Sequence, residues 1–272
     1  MRPPHKSISA WLTIALAVSA VAPVVALLSM SLRRGASVLA VRSFLPPSDP
    51  SLANFAEVLR EPGFAIALAN SVLVSAVTVC SNLLLGVLTA WGIVRVSGGV
   101  RRDVLATLIF AIAVPPQAVV IPIFLIFEQW ALLDTYAALL LPGLLIPLNV
   151  LLYVHAIRAI PPSLLEAAAL DGASPAYVLR RVVLPLVTPT SAVVAINTFL
   201  ASWSAFVYPF LLTNSSNRRT LAVALALLKT QDQVRWPLVM AGAVITIIPV
   251  ILVFLIARRR LVDGVTAAAV KS

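Results

Sequence analysis

Six apolar segments, each long enough to cross a lipid bilayer, dominate this sequence. They cover approximately residues 8–32, 65–94, 104–127, 137–157, 182–212 and 237–257. The hydrocarbon core of a bilayer, about 30 Å thick, requires about 20 apolar residues in a helix that rises 1.5 Å per residue. Because backbone groups in lipid must be satisfied internally, such segments form helices. We therefore predict an all-α polytopic membrane protein with six transmembrane helices.

The composition agrees with this prediction, since 61% of the residues are hydrophobic and only 11% are charged. Soluble domains carry roughly 25% charged residues. The first segment follows Arg2 and Lys6, so a signal peptide must be considered. Its apolar run is longer than that of a typical signal peptide, and we favour an uncleaved anchor. The single cysteine, Cys80, permits no internal disulfide and is expected to be a packing residue.

The net charge of +10 comes from basic residues that flank the apolar segments. If the N terminus is cytoplasmic, twelve of the 20 Lys and Arg residues fall on the cytoplasmic side and eight on the other side. Cytoplasmic loops of membrane proteins are enriched in Lys and Arg. The distribution therefore predicts that both termini are cytoplasmic and gives no support to nucleic-acid binding.

The sequence shows no catalytic or energy-converting motif. No Asp, Glu, Lys or Arg lies deep in a predicted span, which argues against a carrier with its own ion or proton relay. The phosphate-binding loop of ATPases is absent, as are the zinc-protease, Cys-x-x-Cys and nucleophile-elbow motifs. If the protein moves a solute, another subunit must provide the energy.

Neutral polar and aromatic residues within the apolar segments are candidates for a solute path. The set consists of Asn197, Trp203, Ser204, Tyr208, Gln117 and Asn149. Amide and hydroxyl groups beside aromatic rings suit a neutral polyhydroxyl ligand. Hydrogen bonds between helices, worth about 0.6 kcal/mol per pair, are the alternative interpretation. Prolines inside five of the six segments predict bends that can enclose a cavity.

The loop at residues 160–181 reads as a helix, a tight corner and a second helix. Pro161–Pro162 suits a helix start, because proline lacks the N–H that a first turn leaves unpaired. Gly172 fits a left-handed C-terminal cap, and Ser174–Pro175 resembles an N-cap followed by a first-turn proline. We call residues 160–181 the elbow.

The residues of the elbow suggest contact with a partner rather than catalysis. Glu166 and Asp171 are five residues apart and point about 140° away from each other on a helix, so they do not form a catalytic pair. Leu164, Leu165 and Ala168 form an apolar stripe. A helix lying on the membrane surface would explain the stripe, whereas a groove on a protein partner also explains the corner.

The elbow resembles the E-A-A loop of ABC-importer permease subunits, whose pattern is E-A-A-x(3)-G-x(9)-I-x-L-P. The matching residues are Glu166, Ala167, Ala168, Gly172, Leu184 and Pro185, and only Val182 replaces the isoleucine. The chain is most similar to the shorter, six-span permease of maltose-type carbohydrate importers. Supporting matches are Asn54-Phe55, Asn70-Ser71, Pro115-Pro116, Trp203-Ser204-Ala205-Phe206 and the tail Gly264-Val265-Thr266-Ala267-Ala268-Ala269-Val270-Lys271.

The resemblance implies a type I ABC-importer permease fold, one permease domain over residues 1–272, in the bacterial cytoplasmic membrane. The implied partners are a second related permease, two ATPase subunits, a solute-binding protein outside the cytoplasm and membrane lipid. This chain would bind no cofactor, no metal and no nucleic acid, and ATP and Mg would bind the ATPase subunits. The solute would be a sugar or sugar derivative, with glycerol phosphate, a polyamine or phosphate as alternatives.

The resemblance also assigns roles to residues. The elbow would be the coupling helix that sits in a cleft of one ATPase. Its residues would be Glu166 in polar contact with an ATPase arginine, Ala167 and Ala168 at a close approach, Asp171 and Gly172 in the corner, and Leu184 and Pro185 joining the fifth span. The tail, residues 258–272 with Gly264, Val265, Thr266 and Lys271, would insert between the ATPases. A membrane enzyme or assembly factor that works without ATPases is the alternative from another class.

Overall fold

A computed structural model describes residues 5–34, 45–228 and 235–269, with side chains for residues 11–34, 45–228 and 235–256. Every regular element in these ranges is helical. The α-helices are α1 His5–Ser31, α2 Ala53–Arg60, α3 Phe64–Arg95, α4 Gly98–Ala113, α5 Val120–Gln129, α6 Tyr136–Leu140, α7 Pro147–Arg158, α8 Pro162–Leu170, α9 Pro175–Val178, α10 Leu184–Leu186, α11 Thr188–Trp203, α12 Val207–Leu212, α13 Leu221–Leu227 and α14 Trp236–Ala269. Single 3₁₀ turns lie at Pro116–Val119 and Leu141–Gly143, and a π-helical turn lies at Leu179–Val183.

Four stretches of the described residues are each long and apolar enough to span a membrane without a bend of more than 40°. They are Trp11–Ser31, Phe64–Arg95, Tyr136–Arg158 and Trp236–Ile256. Two further spans are helix pairs, Gly98–Ala113 with Pro116–Gln129 and Pro175–Leu186 with Thr188–Trp203. If each pair crosses once, the total is six. The prediction of an all-α membrane protein is confirmed, but the third and fifth predicted spans are bent rather than continuous.

Proline chemistry explains the sharper of the two bends, which is 92°. Val114 and Pro115 adopt extended backbone, with ψ of 118° and 132°. Each of the two residues precedes a proline, and that position is kept out of the helical region by steric clash. The consecutive prolines therefore stop α4 and start a new helix in another direction.

The second bend, of 75°, lies in the fifth span, whose predicted start differs from the observed one. It lies at Val187, between two prolines, Pro185 and Pro189. The helix before it begins at Pro175, inside the elbow, so residue 182 does not mark the start of the fifth span. That span also ends earlier than predicted, since α11 stops at Trp203 and α12 begins at Val207.

The chain forms two compact units, the first comprising Met1–Ala65 with Val223–Pro249. Within the described part of this unit, the amide of Asn54 donates to the carbonyls of Ser31 and Arg33 at 2.7 and 2.8 Å. Carbonyls in the last turn of a helix have no partner within the helix. Asn54 therefore caps the C-terminal end of α1.

The second unit comprises Ile66–Ala222 with Val250–Ser272 and contains the elbow and the cavity that is described below. Its main apolar cluster joins α3, α7, α11 and the elbow. Fully buried members are Ala90 of α3, Val150, Tyr153 and Ile157 of α7, Val183 of the π-helical turn and Val194 of α11. The elbow is thus built into the same core as the transmembrane helices.

Candidate functional site

A cavity of about 420 Å³ lies where three interruptions of the helices in the second unit meet. Pro116 and Gln117 line it from the bend between α4 and α5. Pro142 and Gly143 line it from the turn between α6 and α7, and residues 205 and 206 from the break between α11 and α12. Broken helices of transporters form solute sites, because non-helical backbone within a membrane is tolerated where it lines a cavity. The convergence makes this cavity the candidate solute path.

A few polar groups are set in a mostly apolar lining. Tyr208 donates its hydroxyl hydrogen to the Pro116 carbonyl at 3.0 Å, which ties two of the interruptions together. Ser202, also in the lining, accepts a hydrogen bond from Ser75 at 3.3 Å. The amide of Gln117 and the hydroxyl of Thr78 belong to the lining as well. Apolar walls with few convergent polar groups are typical of small-molecule sites.

The structure places only some of the six predicted solute-path residues at the cavity. Gln117 and Tyr208 line the cavity, whereas the other four are not among its lining residues. Trp203 is 4% exposed and stacks on Phe199 with ring centroids 5.5 Å apart. Ser204, which follows the last residue of α11, donates to the carbonyl of Leu200 in that helix. The remaining two, both asparagines, belong to a buried network.

That network holds the turn between α6 and α7 in place. Asn149 donates to Asn82 and to Thr198 at 2.9 and 2.8 Å, and all three side chains are buried. Asn82 donates to the Gly143 carbonyl at 2.8 Å and accepts from the Ile146 amide at 2.9 Å. Asn82 therefore satisfies backbone groups that the interruption of the helix leaves unpaired.

Asn197 reaches the same network with one long bond to Asn149, at 3.4 Å. For Asn149 and Asn197 the geometry agrees with hydrogen bonding between helices, the alternative interpretation of these residues. Sequence reasoning missed the part played by Asn82, because the carbonyl and the amide that it holds lie more than 60 residues away.

Residues 213–220, which connect α12 to α13, end at Thr220 in the cavity lining and are fixed by Asp134. The carboxylate of Asp134 accepts hydrogen bonds from the Asn214 and Ser215 amides and from the Ser215 hydroxyl, each at 3.0 Å. Partial burial raises the pKa of Asp134, but these hydrogen bonds and the charge of Arg218 together hold it below the ordinary value of 3.8. Asp134 is therefore ionised at neutral pH.

A second anchor fixes the same connection from α3. The amide of Asn70 donates to the carbonyls of Asn217 and Arg219, both at 3.0 Å. Tyr136 donates its hydroxyl hydrogen to the Asn70 side-chain oxygen at 2.9 Å, and Arg218 lies over the Tyr136 ring at 4.3 Å. Sequence reasoning missed these roles, because Asn70 is separated from Asn217 by 147 positions and from Arg219 by 149.

Replacing Asp134 with alanine should increase trypsin cleavage after Arg218 and Arg219 by about tenfold at neutral pH. Hydrogen bonds to a charged group are worth about 1.5–3 kcal/mol, and about 1.4 kcal/mol corresponds to a factor of ten. Glu128→Ala, a change of an exposed acid before α6, is the matched control. Equal cleavage of the two variants would contradict the anchor.

The pH dependence of this anchor follows from the lowered pKa of Asp134. A carboxylate with a depressed pKa stabilises the folded form above its ordinary pKa, and this stabilisation is lost as the pH falls through the folded value. The ratio of the cleavage rates of Asp134→Ala and wild-type protein should therefore stay constant from about pH 8 down to about pH 5, because the pH dependence of trypsin itself cancels in the ratio.

The elbow has the predicted helix, corner and helix. Pro162 starts α8, and Gly172 has a left-handed φ of +72°. The amides of Gly172 and Ala173 donate to the carbonyls of Ala169 and Ala168 at 3.1 and 3.0 Å, which is the two-bond glycine cap of a helix C terminus. The Ser174 hydroxyl accepts from the Tyr177 amide, so Ser174 is the N-cap of α9. These predictions of local structure are confirmed.

The two faces of α8 have different environments. Leu165 and Ala168 pack against the apolar cluster of the second unit. Leu164 is 46% exposed and Leu170 is 89% exposed. The predicted stripe is therefore wrong at Leu164, which lies beside Leu165 in sequence and about 100° around the helix from it. Glu166, Ala167, Asp171, Leu184 and Pro185 are exposed.

The predicted tail is not separate from the last span. Helix α14 continues to Ala269, so Gly264, Val265 and Thr266 lie within it. Their side chains, and Lys271 as a whole, lie outside the described residues.

Residues 82–266 match the family model described as binding-protein-dependent transport system inner membrane component. The chain belongs to this family. The matched region includes the whole elbow and most of the cavity lining. Membership identifies a multi-pass permease subunit of a transport system rather than an enzyme.

Similar proteins include two named permeases. The chain is 31% identical to the trehalose transport system permease protein SugB of Mycobacterium tuberculosis, over 93% of each chain. It is 28% identical to the arabinooligosaccharides transport system permease protein AraQ of Halalkalibacterium halodurans, over 93% of this chain and 91% of the relative.

The permease fold is also found in a solved structure. One chain of a bacterial ABC transporter involved in the import of the acidic polysaccharide alginate superposes with a TM-score of 0.82 and 25% identity. The match covers 95% of this permease and 98% of that chain. The chain thus has an ABC-importer permease fold over nearly its whole length.

Proposed function

We propose that this permease is one of two membrane subunits of an ATP-driven importer for a sugar or sugar derivative. The observation that carries the proposal is the convergence of three helix interruptions on one cavity, in a chain that belongs to a transport family. The names of the relatives support a carbohydrate as the solute, since they include trehalose and arabino-oligosaccharide permeases.

The proposed partners are a second related permease, two ATPase subunits that bind ATP and Mg, and a solute-binding protein. The alginate importer was solved in complex with a pentasaccharide-bound periplasmic protein, and a chain of that complex has a similar fold, with a TM-score of 0.66. We place this chain in the bacterial cytoplasmic membrane with both termini and the elbow on the cytoplasmic side, as the distribution of Lys and Arg indicates.

The elbow is the proposed contact with the ATPase. Its outer face presents Glu166 and Leu170 to solvent, while Leu165 and Ala168 pack into the transmembrane core. A partner that moves the outer face therefore moves the core with it. Transport requires the permease to change between two conformations. A shift of their populations from 1:99 to 99:1 requires about 5.5 kcal/mol of differential binding, which ATP and the docking partners would provide.

The proposed solute path runs through the cavity and contacts Gln117 and Tyr208. In this proposal Asn149, Asn197 and Trp203 support the path by packing and hydrogen bonds rather than by touching solute. The end of α14, with Gly264, Val265, Thr266 and Lys271, is the proposed second contact with the ATPases.

Purification of the full chain together with the products of its neighbouring genes tests the function. We expect a stable assembly that contains a second permease and ATPase subunits. In proteoliposomes with internal ATP, and with the solute-binding protein outside, it should accumulate a neutral sugar such as trehalose or arabinotriose. A chain that purifies alone and is active without an ATPase would overturn the proposal.

A further inference from the structure

The described residues that line the cavity of the permease are all uncharged. Among the described residues that line it there is no Asp, Glu, Lys, Arg or His. Its polar groups are the amide of Gln117 and the hydroxyls of Thr78, Ser202, Tyr208 and Thr220. These groups are neutral hydrogen-bond donors and acceptors.

Two carboxylates on the helices next to Gln117 lie outside the cavity lining. Glu128 follows Gln117 by eleven residues, which corresponds to about 16 Å along a helix. Asp103 lies near the start of α4, beyond the bend at Pro115. Neither carboxylate is among the lining residues.

The two arginines next to Thr220 in sequence are engaged elsewhere. Arg218 lies over the ring of Tyr136, with its guanidinium carbon 4.3 Å from the ring centroid. Arg219 donates to the Asn214 carbonyl at 2.9 Å. Neither arginine is among the residues that line the cavity.

This arrangement discriminates by charge. A carboxylate that leaves water for a mostly apolar site pays a large desolvation cost, and only a paired cation could offset it. The hydroxyls of a neutral sugar can exchange water for Gln117, Thr78 and Ser202. Its C–H faces can pack against Val74, Leu139 and Phe206.

We propose that this cavity admits an uncharged saccharide unit and rejects acidic sugars, an inference that rests on the proposed function. The structurally similar importer chain belongs to a transporter of an acidic polysaccharide. A shared fold does not fix the charge of the solute, because selectivity resides in the residues of the site.

Two sugars that differ at a single carbon test the inference. Methyl glucoside has a hydroxymethyl group where methyl glucuronide has a carboxylate. Saturation-transfer NMR is measured on the complete importer in nanodiscs without its solute-binding protein, so that only the membrane subunits select. We expect the glucoside to bind at least about tenfold more tightly than the glucuronide, which corresponds to about 1.4 kcal/mol.

An introduced cation should reverse this preference. Gln117→Arg places a guanidinium in the lining and should shift the glucuronide-to-glucoside affinity ratio by about tenfold or more toward the glucuronide. Gln129→Arg makes the same substitution at the exposed end of α5 and should leave the ratio unchanged. If Gln117→Arg fails to assemble, Val207→Arg makes the same test from another exposed lining position.

The outcomes separate this inference from the proposed function. Equal binding of the two probes, no binding of the glucoside, or an unchanged ratio in the lining variants would overturn the selection of neutral sugars. ATP-driven uptake of trehalose or arabinotriose by the same importer would still support the proposed function. Absence of all ATP-driven sugar uptake would overturn both.

Discussion

Replacing Gly172 with valine is expected to reduce ATP-driven uptake by at least about tenfold while ATP hydrolysis by the assembled importer continues. Gly172 has a φ of +72°, and the left-handed region costs roughly 1–2 kcal/mol for residues with a Cβ, with β-branched residues the most disfavoured. No atom lies within 4 Å of an added Cβ, so the effect would come from backbone strain rather than from a clash. The strained corner would turn α8 away from the position in which we propose that it contacts the ATPase.

Two matched variants isolate this effect. Gly172→Asn should retain most of the uptake, because asparagine tolerates left-handed backbone better than other residues with a Cβ. Gly92→Val adds the same side chain within α3, where an added Cβ also has open space but the backbone is helical. Both variants are compared with Gly172→Val for uptake and ATPase activity in proteoliposomes. Normal uptake by Gly172→Val would refute the coupling role of the elbow.

Replacing Asn82 with leucine should lower the free energy of unfolding by about 2 kcal/mol. The change leaves the Gly143 carbonyl and the Ile146 amide without their partner and removes an acceptor from Asn149. A buried group left unpaired costs about 1–3 kcal/mol, although hydrogen bonds between membrane helices average only about 0.6 kcal/mol. The thermal midpoint from tryptophan fluorescence in detergent measures the effect.

Asn197→Leu is the control for this network. Asn197 is only partly buried and makes one long hydrogen bond of 3.4 Å to Asn149. We expect its replacement to change the free energy of unfolding by less than about 0.5 kcal/mol, the size typical of surface substitutions. If the two leucine variants had the same thermal midpoint, the network would not hold the turn between α6 and α7.

The elbow could be predicted almost residue by residue because its chemistry is local. Pro162, Gly172 and Ser174 each act on backbone groups within five positions, so the sequence itself contains the partners. The exposure of Leu164 was not predicted. Leu164 and Leu165 have the same side chain, so the sequence alone does not tell which of them faces the core.

The cavity could be predicted only in part. The consecutive prolines Pro115 and Pro116 indicated a bend, yet its angle of 92° and its meeting with two other interruptions depend on packing between distant segments. Gln117 and Asn149 have similar amide chemistry, but one lines the cavity and the other is buried in a network. Such a difference arises from neighbours that the local pattern does not encode.

The π-helical turn at Leu179–Val183 has a consequence for how this chain can change over evolution. A π turn accommodates one more residue than an α turn. Because the wider turn absorbs the extra residue, deleting one residue there would restore an α turn and leave the direction of the preceding helix nearly unchanged relative to α11. The face of α8 that carries Glu166 would keep its direction. The stretch should therefore tolerate a loss of one residue better than a regular α-helix would.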